Sequence, residues 1–311
     1  MLLNILFIVV GIALVLWGAD RLTDGAVAVA EKMKMPQVVI GLTIVAMGTS
    51  MPEFCVSLIS ALKGTTDLAV GNIVGSNIFN ALLIVGVSAL VAPMTILETT
   101  VRKDIPFALV ASALLLIMCL DGNISRLDAG VLFAMFLVFM YITLKGAKKQ
   151  DAQEVAAVEA EGKKPMATWL SVVWILVGLL CLIGGSNLFV EGATAVATNL
   201  GVSEAVIGLT IVAGGTSLPE LATSVVSARK GNSGIAIGNA LGSNVFNILA
   251  ILGITGMITP MTLKGITSID LSMLVISIMF VWLFSFTKYK IERWEGAVLM
   301  AVFVGYIYSL L

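Results

Sequence analysis

Two stretches of this chain are nearly identical and lie 167 residues apart. Residues 41–53 read GLTIVAMGTSMPE and residues 208–220 read GLTIVAGGTSLPE, so eleven of thirteen positions are the same. A second pair, GNIVGSNIFNALLIVG at 71–86 and GNALGSNVFNILAILG at 238–253, keeps this offset without a gap. Agreement of this kind indicates an internal duplication, and therefore two structurally related halves.

The composition places both halves in a membrane. The chain is 59% hydrophobic and 12% charged, whereas soluble domains carry about 25% charged residues. A membrane-spanning helix needs about 20 apolar residues, and the sequence predicts an all-α membrane protein with ten such helices. The predicted spans are 2–19, 37–60, 68–92, 104–120, 127–144, 167–190, 204–228, 234–258, 268–287 and 294–311.

The span count fixes how the halves are related. Residues 1–144 form a first five-helix repeat, 145–166 a charged connector, and 167–311 a second five-helix repeat. Because five is odd, the second repeat enters the membrane from the opposite side, and the repeats are inverted.

Lysine and arginine placement predicts the orientation, since cytoplasmic loops are enriched in these residues. With both termini outside, 15 of the 18 Lys and Arg face the cytoplasm, where the connector also lies. Only Lys63, Arg126 and Lys264 face outward. The net charge of -1 gives no indication of nucleic-acid binding.

Glu53 and Glu220 are the acidic residues that fall well inside a predicted span. A charge there costs a few kcal/mol on insertion scales, so such residues face a cavity or a partner. A protonated carboxyl that holds helices together is the alternative for a single glutamate. Two glutamates at equivalent repeat positions, each within G-T-S-x-P-E, favour a cation site.

The proline before each glutamate interrupts its helix. Pro52 and Pro219 lack an N–H and clash with the carbonyl four residues earlier, so the helix bends near Gly48 and Gly215. Carbonyls released in a bilayer need another partner, such as an ion. The candidate carbonyls belong to Ala46, Thr49, Ala213 and Thr216, and the candidate hydroxyls to Thr49, Ser50, Thr216 and Ser217.

The second repeated motif is G-N-x-x-G-S-N-x-F-N. Ser76 and Asn80 are four residues apart and share one helix face, as do Ser243 and Asn247. These four side chains are predicted ligands. Asn77 and Asn244 fall on a different face, and polar contact between helices is their alternative role.

The predicted site consists of oxygen ligands alone. The chain has no histidine, and no sulfur ligand is needed. Hard cations such as Ca²⁺ and Na⁺ prefer such oxygens. Two glutamates balance one Ca²⁺ or two Na⁺, and an empty site leaves two unpaired charges in low dielectric. This equality predicts coupled exchange of the two ions.

At these motifs the sequence resembles the cation/Ca²⁺ exchanger superfamily, and within it the prokaryotic, YrbG-like sodium/calcium exchangers. The resemblance implies the sodium/calcium exchanger fold, with helices 2, 3, 7 and 8 around the ion sites and helices 1 and 6 sliding to alternate access. Glu53 and Glu220 would bind Ca²⁺ with the carbonyls of Thr49 and Thr216. The flanking Na⁺ sites would use Ser50, Ser76, Ser217, Ser243 and the carbonyls of Ala46 and Ala213, with Asn80 and Asn247 between them.

One position departs from the family pattern, because several relatives have Asp where this chain has Asn247. The counter-ion therefore stays open between Na⁺ and H⁺, and a Ca²⁺/H⁺ or other cation/H⁺ antiporter is the alternative function. A passive channel explains the charge pair less well, and an intramembrane protease lacks its motifs. We expect a monomer in the bacterial inner membrane that transports Ca²⁺ and Na⁺ and needs no cofactor.

Overall fold

The computed structural model describes residues 1–147, 166–201 and 213–310. Within these ranges, seven helices are long and apolar enough to cross a membrane, and one bent helix pair also meets the criteria. The seven are Leu2–Met33, Thr66–Val91, Thr100–Asp121, Arg126–Ala147, Thr168–Asn199, Ser233–Ile258 and Ser268–Ser285. Most of the predicted connector and the start of the predicted span 204–228 lie outside the described residues.

The first repeat contains eight α-helical segments and two short strands. They are α1 (Leu2–Met33), α2 (Gln37–Ile40), α3 (Ala46–Thr49), α4 (Met51–Leu62), α5 (Thr66–Ile78), α6 (Val85–Val91), β1 (Met94–Thr95), α7 (Ile105–Met118), β2 (Asn123–Ile124) and α8 (Arg126–Ala147). Wider π-helical turns at Gly41–Val45, Phe79–Ile84 and Thr100–Asp104 join neighbouring segments, and a 3₁₀ turn at Cys119–Asp121 follows α7.

The second repeat has the same order. It contains α9 (Thr168–Asn199), α10 (Ala213–Thr216), α11 (Leu218–Arg229), α12 (Ser233–Val245), α13 (Leu252–Ile258), β3 (Met261–Thr262), α14 (Ser268–Ser285), β4 (Lys290–Ile291) and α15 (Arg293–Leu310). A π-helical turn at Phe246–Ile251 occupies the place of Phe79–Ile84, again 167 residues later.

Helices α1 and α9 are longer than the predicted spans 2–19 and 167–190. Both predictions are too short: each helix has 32 residues, or about 48 Å at the usual helical rise. The apolar run of α1 ends at Asp20, but the helix continues to Met33, and Asp20 and Asp24 in its polar part pair with Lys230. Composition marks where apolar surface ends, and a helix extends further when its polar residues have partners.

The two long helices pack against each other in antiparallel directions. A side chain added at Gly11 would meet the carbonyl of Gly185, and one at Gly18 would meet that of Gly178. As the residue number rises along α1 it falls along α9, as an inverted pair requires. Small residues at this interface let the backbones approach closely, which is a common way for membrane helices to associate.

The short strands join the two repeats. β1 pairs with β4 and β2 pairs with β3, both antiparallel. Because β3 and β4 are the equivalents of β1 and β2, each strand pairs with a strand of the other repeat. The pairing satisfies backbone groups between helices, where unpaired groups would be costly.

Apolar packing separates the helix pair from the rest. One large cluster of buried side chains runs from Val38 to Leu299 and contains no residue of α1 or α9. A second, smaller cluster includes Val15 and Leu22 of α1 with Ile175 and Leu182 of α9. The α1–α9 pair therefore lies outside the large cluster and packs on the other helices through the smaller one, which also contains Ile40, Val45, Ala222 and Ile235.

Candidate cation site

The helices that carry the two glutamates are broken one turn before them. Ser50 separates α3 from α4 with φ -82° and ψ 9°, and Ser217 separates α10 from α11 with φ -90° and ψ 8°. The first break bends its helix by 47°. The bend predicted from Pro52 is confirmed, and the helix is likewise broken before Pro219. Both breaks place their glutamate, Glu53 or Glu220, in the first turn of a new helix.

The proline at the second break releases a carbonyl, which takes a new partner. Pro219 cannot donate to Gly215, four residues earlier, and the hydroxyl of Ser186 on α9 donates to the Gly215 carbonyl instead. On the first repeat, the Ala46 carbonyl accepts the backbone N–H of Ser50 at 3.0 Å. The expectation that Ala46 leaves the helix ladder is wrong here, because its regular donor, Ser50, precedes the proline.

Each glutamate is bonded to the serine of the opposite repeat. Ser50 Oγ donates to Glu220 Oε1 at 2.9 Å, and Ser217 Oγ donates to Glu53 Oε1 at 3.0 Å. Glu53 is 1% exposed and Glu220 is fully buried. Since Ser217 and Glu220 share one helical turn, these bonds place both carboxylates in one region between the repeats.

The second motif adds hydroxyl and amide groups. Ser76 Oγ lies 3.2 Å from Ser217 Oγ. Several buried side-chain atoms have no hydrogen-bond partner among the described residues, and those predicted to bind cations are Glu53 Oε2, Glu220 Oε2, Asn80 Oδ1, Asn247 Oδ1 and Ser243 Oγ. Buried polar atoms normally have partners. A cation is the partner that carboxylate and amide oxygens together would accept.

The remaining predicted ligands lie close by. Thr49 is buried, and its hydroxyl donates to Asn239 Oδ1 at 3.0 Å. Thr216 ends α10 directly before Ser217, and Ala213 begins that helix. The structure thus brings the elements carrying the predicted residues together, although it assigns a neighbouring protein donor to the Ala46 carbonyl.

Two asparagine pairs lie beside the site: Asn72 and Asn239, which the sequence analysis did not single out, and Asn77 and Asn244, for which it gave polar contact between helices as the alternative role. Asn72 Nδ2 donates to the Glu53 carbonyl at 3.2 Å, and Asn239 Nδ2 donates to the Glu220 carbonyl at the same distance. Asn77 and Asn244 bond across the repeats. All four belong to the repeated G-N-x-x-G-S-N motif, so the signal was present, but helical spacing alone placed them on other faces.

A third glutamate is as buried as the first two. Glu295 is fully buried at the start of α15; its Oε2 accepts the backbone N–H of Glu292 at 2.7 Å, and its Oε1 has no partner in the described part of the chain. Glu295 lies at the edge of the last predicted span, 294–311. It acts as a helix cap, and it has no equivalent of the serine from the opposite repeat.

The site has the composition of a hard-cation site. No group of three or more His, Cys, Asp or Glu side chains that could together hold a metal ion occurs among the described residues. The charge available is therefore that of two carboxylates, with neutral oxygens around them. Ca²⁺ and Na⁺ bind such oxygens, whereas softer metals prefer nitrogen or sulfur.

Comparison with known proteins defines the class to which this fold and site belong. The family model described as "Sodium/calcium exchanger protein" matches residues 3–145 and 170–311. The chain is a membrane ion exchanger, and it belongs to the sodium/calcium exchanger family.

Individual relatives match along nearly the whole chain. CaxA of Alkalimonas amylolytica, whose name describes an antiporter, is 38% identical over 100% of this chain and 99% of its own. The inner membrane protein YrbG of Escherichia coli is 36% identical over 90% of this chain and 88% of its own. A solved structure of the sodium-calcium exchanger NCX_Mj, soaked with Na⁺ and Sr²⁺, superposes with a TM-score of 0.87 at 30% identity, covering 100% of this chain and 99% of that one.

These similarities confirm the predicted architecture. The protein is an all-α, multi-pass membrane protein with the sodium/calcium exchanger fold that its two inverted repeats predicted. The resemblance to the prokaryotic, YrbG-like exchangers is likewise confirmed.

Proposed function

We propose that this protein exchanges Na⁺ for Ca²⁺ across the membrane by alternating access. The observation that carries the proposal is the pair of buried glutamates, each with one oxygen bonded to the opposite repeat and one oxygen without a partner among the described residues. In this proposal the two free carboxylate oxygens bind Ca²⁺.

The other predicted ligands complete the set. Ca²⁺ binds six to eight oxygen ligands, so neutral oxygens must supply the ligands that two carboxylates do not provide. The carbonyls of Thr49 and Thr216 complete the Ca²⁺ site, and Asn80 and Asn247 lie between the repeats. Na⁺ uses the flanking hydroxyls of Ser50, Ser76, Ser217 and Ser243 and the carbonyl of Ala213.

Charge balance couples the two ions. Two carboxylates are neutralised by one Ca²⁺ or by two Na⁺, so the loaded carrier is uncharged at the site with either ion. An empty site would carry two unpaired charges through the membrane, which is costly. The carrier therefore changes its access from one side to the other when an ion is bound, and this requirement produces exchange.

The separate packing of α1 and α9 supports the alternating step. These helices contribute no buried residue to the large apolar cluster, and they meet the helices that carry the glutamates through a smaller cluster that includes Val45 and Ala222. Sliding of a packed pair over a fixed site opens one side and closes the other, as in other inverted-repeat transporters.

A second candidate is exchange of Ca²⁺ for H⁺. The observation that favours it is that Glu53 Oε2 and Glu220 Oε2 have no donor among the described residues, so each carboxylate has a free oxygen where a proton can bind. The site residues are the same in both proposals, and only the counter-ion differs.

The placement in the cell follows the charge distribution. We place the protein in the inner membrane with both termini outside and the connector 145–166 in the cytoplasm, and we propose that it functions as a monomer. Ca²⁺ and Na⁺ are its substrates. Accessibility of single cysteines to a membrane-impermeant maleimide tests the orientation: one in the connector should react from the cytoplasmic side only.

The function is tested by uptake of radioactive Ca²⁺ into vesicles that contain the purified protein. Vesicles loaded with Na⁺ and diluted into Na⁺-free buffer should accumulate Ca²⁺, and Glu53→Gln and Glu220→Gln should each abolish this uptake. Glu295→Gln is the matched control, because it changes an equally buried glutamate outside the site, and it should transport normally. A parallel set has a pH gradient and no Na⁺.

Each outcome assigns the counter-ion. Uptake that requires internal Na⁺ supports Na⁺/Ca²⁺ exchange. Uptake driven by the pH gradient alone replaces this proposal with the proton antiporter. If neither gradient moves Ca²⁺ in folded protein, Ca²⁺ is not the substrate.

A further inference from the structure

Three asparagines between the repeats form a chain of hydrogen bonds with a fixed direction. Asn77 Nδ2 donates to the backbone carbonyl of Asn244 at 3.3 Å, and Asn247 Nδ2 donates to Asn77 Oδ1 at 3.0 Å. All three side chains are at most 1% exposed. The chain ends at Asn247 Oδ1, which has no partner among the described residues.

The chemistry of the first acceptor sets this direction. A backbone carbonyl can only accept, so the Asn77 amide must turn its NH₂ group toward Asn244. Its oxygen is then the end that faces Asn247, and that oxygen can also only accept. Asn247 must therefore turn its own NH₂ group toward Asn77, which leaves its oxygen pointing away.

The orientation of Asn247 matters to a cation. An asparagine amide attracts a cation through its oxygen and repels it through its NH₂ group, and the two ends are nearly the same size. An amide that turns freely would present the wrong end part of the time. We propose that Asn77 is a positioning residue that fixes Asn247 with its oxygen available to the transported cation.

The opposite repeat lacks this arrangement. Asn244 Nδ2 donates to the Asn77 carbonyl at 3.3 Å, so it makes the same bond across the repeats that Asn77 makes. Among the described residues, however, neither Asn244 Oδ1 nor Asn80 Oδ1 has a hydrogen-bond partner. Asn80 is therefore not held by Asn244, and the two halves of the site differ in how firmly their amides are oriented.

This difference provides a matched control. Asn77→Ala and Asn244→Ala each remove one bond of 3.3 Å to a backbone carbonyl of the other repeat. Only Asn77→Ala also releases Asn247. A purely structural role predicts the same effect for both variants, whereas positioning predicts an effect on cation affinity for Asn77→Ala alone.

The inference rests on the proposed cation site, and its test uses binding rather than transport. The full-length protein is purified in detergent without Na⁺, and its Ca²⁺ dissociation constant is measured by titration calorimetry. We expect Asn77→Ala to bind Ca²⁺ about tenfold more weakly, as the loss of one well-placed ligand implies. Asn244→Ala should stay within about twofold of the unchanged protein, on the same reasoning.

Repeating the measurement in the Asn247→Asp variant separates an effect on the orientation of residue 247 from an effect on packing. In Asn247→Asp, a carboxylate presents an oxygen whichever way it turns, so no positioning residue is needed. Asn77→Ala should then cause no loss of Ca²⁺ affinity in that background. Double-mutant cycles measure this kind of dependence directly. Asn77→Ser, whose hydroxyl is too short to hold Asn247, serves if Asn77→Ala does not fold.

Several results would overturn the inference. Equal losses of affinity in Asn77→Ala and Asn244→Ala, or the same loss of affinity in both backgrounds, would mean that Asn77 acts through packing. Absence of Ca²⁺ binding by the unchanged protein would also overturn it. If the binding differences hold while no ion gradient drives Ca²⁺ uptake, the positioning role stands and the proposed exchange fails.

Discussion

Ser217 donates a hydrogen bond of 3.0 Å to Glu53, which belongs to the other repeat. Ser50 makes the equivalent bond of 2.9 Å to Glu220. Neither glutamate can therefore be placed by its own repeat alone, since each needs a serine from the opposite one. The site exists only where the two repeats meet, as in other transporters that bind their substrate between inverted repeats.

Replacing either serine should weaken Ca²⁺ binding. Ser50→Ala and Ser217→Ala each remove a hydrogen bond to a buried carboxylate, and such bonds contribute about 1.5–3 kcal/mol. We expect the Ca²⁺ dissociation constant to rise by roughly tenfold or more in both variants, with the larger rise in Ser217→Ala because Ser217 also contacts Ser76. Titration calorimetry measures this, and Ser125→Ala, at an exposed helix cap, is the control. Unchanged affinity in both variants would contradict the site geometry.

The interface between α1 and α9 should not accept even one methyl group. A Cβ at Gly185 would lie 2.7 Å from the Gly11 carbonyl oxygen, whereas a Cβ at the adjacent Gly184 would meet no atom within 4 Å. Gly185→Ala should cost about 1–3 kcal/mol through overpacking and lower the midpoint of thermal unfolding in detergent. Gly184→Ala should leave the midpoint unchanged or slightly raised. Equal midpoints for the two variants would show that the helices are not in close contact.

Lys230 should contribute a small, salt-dependent stabilisation. Its Nζ lies 2.5 Å from Asp20 and 2.7 Å from Asp24, and all three side chains are about one-third exposed. Pairs of this kind contribute about 1 kcal/mol or less, and Arg21 still compensates the aspartates when Lys230 is lost. Lys230→Met should lower the unfolding midpoint at low salt and much less at high salt, because salt screens such pairs.

The equivalent lysine of the first repeat supplies the control for that measurement. Lys63 lies 167 residues before Lys230, is exposed, and has no ion pair within the described residues. Lys63→Met should leave the midpoint unchanged at both salt concentrations. A larger effect at Lys63 than at Lys230 would contradict the pairing.

The asparagines that hold the glutamate backbones should differ in importance. Asn239 is fully buried; its amide donates to the Glu220 carbonyl and to Ser224, and its oxygen accepts from Thr49. Asn72 is half-buried, and its amide makes only the two equivalent donor bonds, to the Glu53 carbonyl and to Ser57. Asn239→Leu leaves more buried groups without partners, each costing about 1–3 kcal/mol. Thermal unfolding should show a larger loss for Asn239→Leu than for Asn72→Leu, and the reverse order would contradict this account.

Local pattern and duplication made much of the architecture predictable. Apolar runs located the spans to within a few residues at Thr66–Val91 and Ser233–Ile258, because a span in lipid must be apolar and helical. Pro52 and Pro219 predicted the breaks because a missing N–H acts on its own helix. The apolar pattern failed for α1 and α9, whose polar ends continue as helix through contacts with other segments.

The sequence by itself determined the duplication, the inverted repeats and the selection of Glu53 and Glu220 as candidate cation ligands, since each depends only on residue type and spacing along the chain. Only the tertiary structure decided which serine bonds to which glutamate, that Ser186 takes the released Gly215 carbonyl, and which way Asn247 is turned. These contacts join residues 29 to 170 positions apart. No local pattern specifies them, because a hydrogen bond between distant segments depends on how whole helices pack together.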